Sequence, residues 1–322
     1  MPKTFLSENI SNILSIARLA PSVHNSQPWN VEVNGELIRI GIEPRRALVH
    51  GDPTGRQTYI SLGIFAESCV VAANSLGGIV KRVESYDDGL ISVLFGSRPG
   101  KLNKHGEDVK ALKERFSDRS VHKKMGVAKR DVLTIEKAWA NKTVAIKFSS
   151  DLNVIERCAE LTRDGLLLAL TNAEFRQELV DYLVPSAESP TGIPINTLQS
   201  GKLSSLLVKR LLASGLSRKH EAQVEYKRWL SASGLVFILA EGDSRKYWIE
   251  SGRAYLRASL AIEKAGLAQA TSAAIVEASD FHEDIEKLLG TSKRIECLIR
   301  VGKSNAKRQL SGRLSPDELL AT

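Results

Sequence analysis

The stretch Ala20-Pro21-Ser22-Val23-His24-Asn25-Ser26-Gln27-Pro28-Trp29 gathers serine, asparagine and glutamine side chains between a helical pattern and a hairpin pattern. These groups donate and accept hydrogen bonds without carrying charge. They suit the edge of a flat heteroaromatic ring on which N–H and C=O groups alternate. A capped helix end with Trp29 turned into the core would use the same residues, and both readings stand at this point. A second stretch, Arg115-Phe116-Ser117-Asp118-Arg119-Ser120, sets two guanidinium groups about a hydroxyl. Guanidinium grips phosphate bidentately, and a hydroxyl adds a donor; a solvated charge cluster would look alike. Residues 101–130 hold ten Lys/Arg against four Asp/Glu, a positive local potential that names no ligand. A third stretch, Gly266-Leu267-Ala268-Gln269-Ala270-Thr271-Ser272-Ala273-Ala274, leaves a helical pattern at glycine and continues through small residues. Small side chains let backbone N–H groups approach a ligand; they also suit a tight packing crossover. His24 beside the turn and His122 beside the arginines could each donate a proton, but a lone histidine in such a place is more often structural.

The elements that must position these residues follow from periodicity and breakers. Ser7 is placed to cap a helix through Ile10, Ile13, Leu14 and Ala17 that stops at Pro21. Val31–Val33 and Leu37–Ile42 form a hairpin around Asn34-Gly35. Ile60–Leu76 reads as a helix closed by Gly77, and Ile91–Phe95 as a strand. The basic connector Gly96–Gly106 is the boundary candidate. It divides the chain into 1–106 and 107–322. Beyond it, Val127–Ala140, Leu152–Leu170, Ala173–Leu183 and Trp248–Ala265 read as helices. Val144–Phe148, Leu235–Ala240 and Ile295–Val301 read as strands. Pro185–Ser200 is loop-like, and 200–228 is a basic amphipathic helical segment with seven Lys/Arg against two Glu. A packed helix, a membrane surface or an acidic partner would each suit that segment. Strand pairs mixed with long helices indicate an α+β fold.

The 322 residues suffice for a large core, and 43% hydrophobic with 25% charged residues excludes a disordered chain, a collagen and a disulfide scaffold. The net charge of +8 favours anionic partners such as phosphates. No stacking-aromatic or helix-turn-helix pattern accompanies it, so nucleic acid is not expected. Cys69, Cys158 and Cys297 lie far apart without CxxC or Cys/His spacing, which points away from zinc and toward a reducing cytoplasm. The N-terminus turns polar before a signal-peptide core could form, and the apolar runs are too short to span a membrane.

An internal duplication is also legible. Tyr59-Ile60-Ser61-Leu62-Gly63 and Trp248-Ile249-Glu250-Ser251-Gly252 begin alike, and each is followed by a helix ending at Gly77 or Gly266, an offset of 189 in both places. Two such halves would pack like the subunits of a dimer.

Taken together, the stretches resemble the nitroreductase family of FMN-dependent oxidoreductases. Ala20, Pro21, Ser22, Asn25, Gln27, Pro28 and Trp29 fit its A-P-S-x-x-N-x-Q-P-W segment. Arg115, Ser117 and Arg119 resemble its R-x-S-x-R opening. Gly266-Leu267 resembles its G-L-x loop, and Arg313-Leu314-Ser315-Pro316 its closing arginine segment. In ordinary members R-x-S-x-R precedes A-P-S-x-x-N-x-Q-P-W in each subunit of a dimer. Here the first half has the latter motif and the second half the former. That order, with Asp52-Pro53-Thr54-Gly55-Arg56-Gln57, is similar to the single-chain, Acg-like branch. The resemblance implies a monomer folded as an intrachain pseudo-dimer, with one flavin between the halves. Arg115, Ser117, Arg119 and Arg313 would hold the FMN phosphate. Pro21, Ser22, Asn25 and Gln27 would lie along the flavin, and backbone groups of Thr271, Ser272 and Ala273 would approach N5. Val23 and His24 fall on positions where the sequence departs from the family. The implied chemistry is ping-pong hydride transfer from NADH or NADPH through FMN to a nitroaromatic, a quinone or a biosynthetic intermediate, with no catalytic side chain required. The alternative within that branch is flavin sequestration with little turnover, residues 185–228 forming a lid.

Overall fold

The computed structural model describes residues 4–96, 106–198, 205–278, 280–309 and 311–321. The first half opens with α1 (Phe5–Ala17), whose cap is Thr4: its side chain accepts from the Ser7 amide, and Ser7 bonds back to Thr4. Ser7 is therefore the third helical residue of a capping box rather than the cap. A single turn at Val23–Asn25 leads into β1 (Trp29–Asn34) and β2 (Leu37–Ile42). Asn34 pairs with Leu37, so the turn is Gly35-Glu36, one residue later than expected, with Gly35 at φ +60. A positive φ at the first loop position is what a II′ turn needs. Then come α2 (Arg56–Ser75), β3 (Val80–Ser85) and β4 (Ile91–Phe95). The connector falls almost entirely outside the described residues.

The second half runs α3 (Gly106–Glu114), α4 (Lys129–Glu136), β5 (Val144–Ser149), α5 (Leu152–Ala169), α6 (Ala173–Asp181), β6 (Leu183–Val184) and β7 (Ile193–Pro194). It continues with α7 (Ser205–Ser214), α8 (Arg218–Leu230), β8 (Gly234–Ala240), α9 (Arg245–Lys264), β9 (Ala268–Thr271), α10 (Ala274–Glu277), α11 (Phe281–Leu289), β10 (Arg294–Gly302) and α12 (Pro316–Leu319). α4 is shorter than the expected Val127–Ala140: it begins at Lys129 and closes at Lys137, and the Asn141 side chain then turns the chain toward β5 by accepting from the Thr143 amide at 3.0 Å. The basic segment breaks at Gly215, whose φ of +72 ends α7 before α8 begins.

The two halves repeat one plan. One sheet has the order β1-β2-β4-β3, the other β5-β8-β10-β9, and all neighbours are antiparallel. In each half the central helix lies between the second and third strands. α2 and α9 are both 20 residues long and pack on each other. A Cβ on Gly63 would stand 2.0 Å from the Ile249 carbonyl oxygen, and one on Gly252 would stand 2.0 Å from that of Ile60. Both pairs are related by the offset of 189. Arg56 lies over the Trp248 ring at 5.1 Å and Arg245 over the Tyr59 ring at 5.3 Å, again the same contact read from either side. Reciprocal contacts of this kind are the mark of a two-fold interface. The helix ends match too: Gly78 N bonds Ala73 O and Leu267 N bonds Ile262 O.

One core joins the halves, with Leu62 and Phe65 of α2 and Leu256 and Leu260 of α9 among its residues. β8 is buried on both faces. Val236, Ile238 and Ala240 face that core, whereas Leu235, Phe237 and Leu239 face a second one beneath α5, α8 and α11. Two-sided burial explains its uninterrupted apolar run. The tail returns to the first sheet: Leu320 bridges Val31 in parallel and Leu319 is buried. Among the described residues no helix is long and apolar enough to cross a membrane.

Candidate functional site

The polar turn after α1 is held in unusual backbone geometry. His24, Asn25 and Gln27 have φ of +47, +54 and +52, and among the described residues no other non-glycine has positive φ. Each such residue costs of order 1 kcal/mol or more, and such strain persists where the surroundings over-determine it. Here they do. The Ser22 hydroxyl accepts from the Gln27 amide at 2.9 Å, and Arg46 grips the carbonyls of Gln27 and Trp29 at 2.9 and 2.6 Å. Gln27, which precedes Pro28, avoids the right-handed helical region as expected, but on the positive side of φ.

Asn25 and Gln27 spend their side chains on two other segments. Asn25 Nδ2 donates to the carbonyls of Gly192 and Gly312, both at 3.1 Å, and its Oδ1 accepts from Arg313 at 2.8 Å. Gln27 Nε2 donates to the Pro190 carbonyl at 2.7 Å, and its Oε1 accepts from the Leu314 amide at 3.1 Å. The loop-like stretch after β6 is thus seated on the polar turn. Gly312 lies under the same stretch, its Cβ position 1.9 Å from the Ser189 oxygen.

The arginine stretch comes to this place from the second half. Arg115 is buried and donates through Nε to Ser259 of α9 at 3.0 Å. Ser259 in turn donates to Gln269 at 2.6 Å, and the Asp118 amide donates to the Gln269 carbonyl at 2.8 Å. Arg119 reaches Thr197 at 3.3 Å. Ser117 is half-buried between them. Arg119 is close enough to His24 to act on its charge. Burial brings that imidazole down to about 4; Glu178 opposes and Arg119 adds to the fall. Arg313 is held down to about 10 by burial, then by Arg115 and Arg18. Arg115 and Arg119 of one stretch and Arg313 of the tail thus lie within electrostatic reach of the polar turn or of one another. Among the described residues none of Arg115, Arg119 and Arg313 forms an ion pair.

The third stretch is strand β9 and the turn after it. Thr271 Oγ1 donates to the Leu298 carbonyl at 2.7 Å, and Ser272 Oγ accepts from the Ala274 amide at 3.2 Å. The Thr271 hydroxyl donor is thus spent on β10, whereas the Ser272 hydroxyl accepts from its own loop and keeps its donor for a ligand, beside the loop backbone. Side chains tie it to the polar turn. Gln57 donates to Glu277 at 2.8 Å, Ser61 donates to the Gln57 carbonyl at 2.7 Å, and the Val23 amide donates to Ser61 at 3.4 Å.

Pro21 and Ser22 are half-buried at the head of the turn. The structure brings Ser22, Asn25, Gln27, Arg115, Arg119 and Arg313 around one seam, with Thr271, Ser272 and Ala273 linked to it through α10. Sequence reasoning named Gln269 only as part of the small-residue stretch, without a role, and missed Ser259, Thr197 and Arg46, whose spacing gives no signal because each acts from another element. Two surface hollows of about 480 and 490 Å³ lie elsewhere, one beside Arg157 and Leu288, the other beside Leu133 and Leu260.

No family model matches the chain. The chain is 26% identical over 306 residues to a protein of Mycobacterium tuberculosis (strain H37Rv) named as an NAD(P)H nitroreductase, covering 92% of this chain and 85% of that one. A shorter match, 40% identical over 60 residues and 18% of this chain, is to the NAD(P)H nitroreductase PigM of Serratia sp.. These relatives bear out the resemblance to NAD(P)H nitroreductases. Solved structures with partial likeness include an iodotyrosine deiodinase bound to FMN and 3-iodo-L-tyrosine (15% identity, 64% of this chain and 95% of that one, TM-score 0.42). Another is the FMN-dependent nitroreductase NfnB of Mycobacterium smegmatis in complex with NADPH (15% identity, 63% of this chain and 90% of that one, TM-score 0.38).

Proposed function

We propose that the chain is an FMN-binding oxidoreductase of the nitroreductase type, passing a hydride from NAD(P)H to a small organic acceptor. The observation that carries this reading is the arginine cluster without ion pairs, supplied by the second half and lying against the strained polar turn of the first. Arginines that are buried or half-buried and, among the described residues, make no direct ion pair suit a phosphate monoester, which would satisfy guanidinium groups bidentately. Arg115 and Arg119, with Ser117, would hold the phosphate, and Arg313 would close the site from the tail. Ser22, Asn25 and Gln27 would face the ring system once the stretch at 190–192 gives up its bonds to Asn25 and Gln27, and the backbone of Thr271–Ala273 would lie near its reactive atom. Bound flavin supplies reversible two-electron chemistry. The protein supplies binding, orientation and N–H donors, so no acid–base side chain is assigned. His24, with its pKa near 4, is neutral at pH 7 and is not a proton donor there.

A second reading, a flavin-holding protein with little turnover, is favoured by one observation: Pro190 and Gly192 occupy the bonding groups of Gln27 and Asn25. Stopped-flow mixing of the yellow protein with NADH or NADPH separates the two. Prompt bleaching of the flavin absorbance supports the oxidoreductase. Absence of bleaching with both reductants supports holding. The division at residue 106, a monomeric pseudo-dimer and a cytoplasmic location belong to the same proposal.

A further inference from the structure

Arg300 of β10 is only 1% exposed, and among the described residues it makes no ion pair. Its Nη2 donates to the carbonyls of Asp118 and Ser120, both at 2.9 Å, and its Nη1 donates to the Arg228 carbonyl at 3.2 Å. The first two acceptors are the backbone groups on either side of Arg119. Arg300 therefore holds the peptide units that carry Arg119. It stands opposite Ala270 in the β9–β10 ladder, one residue from the Ile299–Thr271 pair. The same short length of β10 thus fixes both the arginine stretch and the loop at Thr271. Burial works against its charge, and the Glu225 and Asp118 carboxylates favour it against the neighbouring Arg228 and Arg119; the three carbonyl acceptors fix the direction of its planar fork.

We infer that Arg300 is a positioning residue: it clamps the backbone of residues 118–120 so that the Arg119 guanidinium is presented to a phosphate monoester. The inference rests on the proposed flavin site and sharpens it. The clamp serves the phosphate of FMN and not the ring system, so FMN and riboflavin must respond differently.

The test titrates the full chain with FMN and, separately, with riboflavin, following quenching of flavin fluorescence. Arg300→Gln is expected to weaken FMN at least about tenfold, the worth of a charge-assisted contact, and to leave riboflavin affinity unchanged. Arg300→Lys should recover part of the loss. In a chain already carrying Arg119→Gln, adding Arg300→Gln should cost FMN little more, since both changes act through one contact. Equal losses for both flavins, or full additivity of the two substitutions, would overturn the clamp. Hydrogen exchange supplies a readout independent of flavin: Arg300→Gln and Arg300→Lys should both speed exchange of amides 118–120. If the wild-type chain binds neither flavin, the flavin reading fails. Unchanged exchange in both variants sinks the clamp whether or not flavin binds.

Discussion

At the scale of single residues, the polar turn carries the most information, because its geometry and its partners can be separated by mutation. Asn25 makes three hydrogen bonds that tie the turn to Gly192, Gly312 and Arg313. Asn25→Ala deletes them and leaves an alanine at φ +54. A loss of about 2–3 kcal/mol in urea unfolding is expected; a change below about 0.5 kcal/mol would mean the turn is not held as described. His24 offers a test through pH. Its folded pKa is near 4, against about 6.5 for a free imidazole. The unfolded chain therefore binds a proton that the folded chain refuses. The associated stability is fully present above about pH 6.5 and declines as pH falls toward 4. His122, also held near 4 by burial and then by Arg300, acts in the same direction. Glu296 acts oppositely: burial raises it to about 7, so its contribution is present below the free carboxyl range and is lost as pH rises through 7. His24→Asn keeps a side chain that tolerates positive φ and removes one titration. The variant should lose less stability than wild type between pH 7 and pH 5; equal losses would contradict the assignment.

At the scale of elements, the α2–α9 contact decides whether the two halves meet. Gly63 and Gly252 allow the helix backbones to touch, and a methyl at either would stand 2.0 Å from a carbonyl oxygen. Gly63→Ala and Gly252→Ala should each cost about 3 kcal/mol or more by forcing the helices apart, and by nearly the same amount, since the contacts are reciprocal. Gly126→Ala, where a Cβ meets nothing within 4 Å, should be close to neutral in the same thermal melts. Unequal losses at the two helix glycines would deny the symmetry.

Much of this scale was legible in the sequence. The 189-residue offset, the hairpin, both central helices and β8 announce themselves through glycine, turn residues and apolar runs. β3 was hidden because Val80–Ser85 is a charged, half-exposed edge, and β9 because Ala268–Thr271 is short and small. The motif residues of the site were readable from their spacing. Arg300, Gln269 and Thr197 were not, because they act across elements and nothing local marks them. Nor does any residue pattern announce positive φ at His24 and Gln27; that geometry is imposed by Ser22, Arg46 and the stretch at 190–192.

At the scale of the molecule, the symmetry is broken where it matters. Ser61, which bonds the Val23 amide at one seam, is replaced at the related position by Glu250, which bonds Asn141. Arg253, lying over Trp139, and Arg257 both bond Glu67, at 2.9 and 2.7 Å. The related place thus carries ion pairs of its own, whereas among the described residues the arginines at the Asn25 seam make none. On the proposed function, two similar halves would then offer one phosphate site and not two. The chain should sediment as a 35.3 kDa monomer, because the interface that a dimer would supply is already internal. The stoichiometry of FMN binding tests this account most directly. Titration of purified chain should saturate at one FMN per chain, with a yellow flavin spectrum that is lost on removing the flavin and restored on adding it. Saturation at two per chain, or a colourless chain that takes up none, would contradict it.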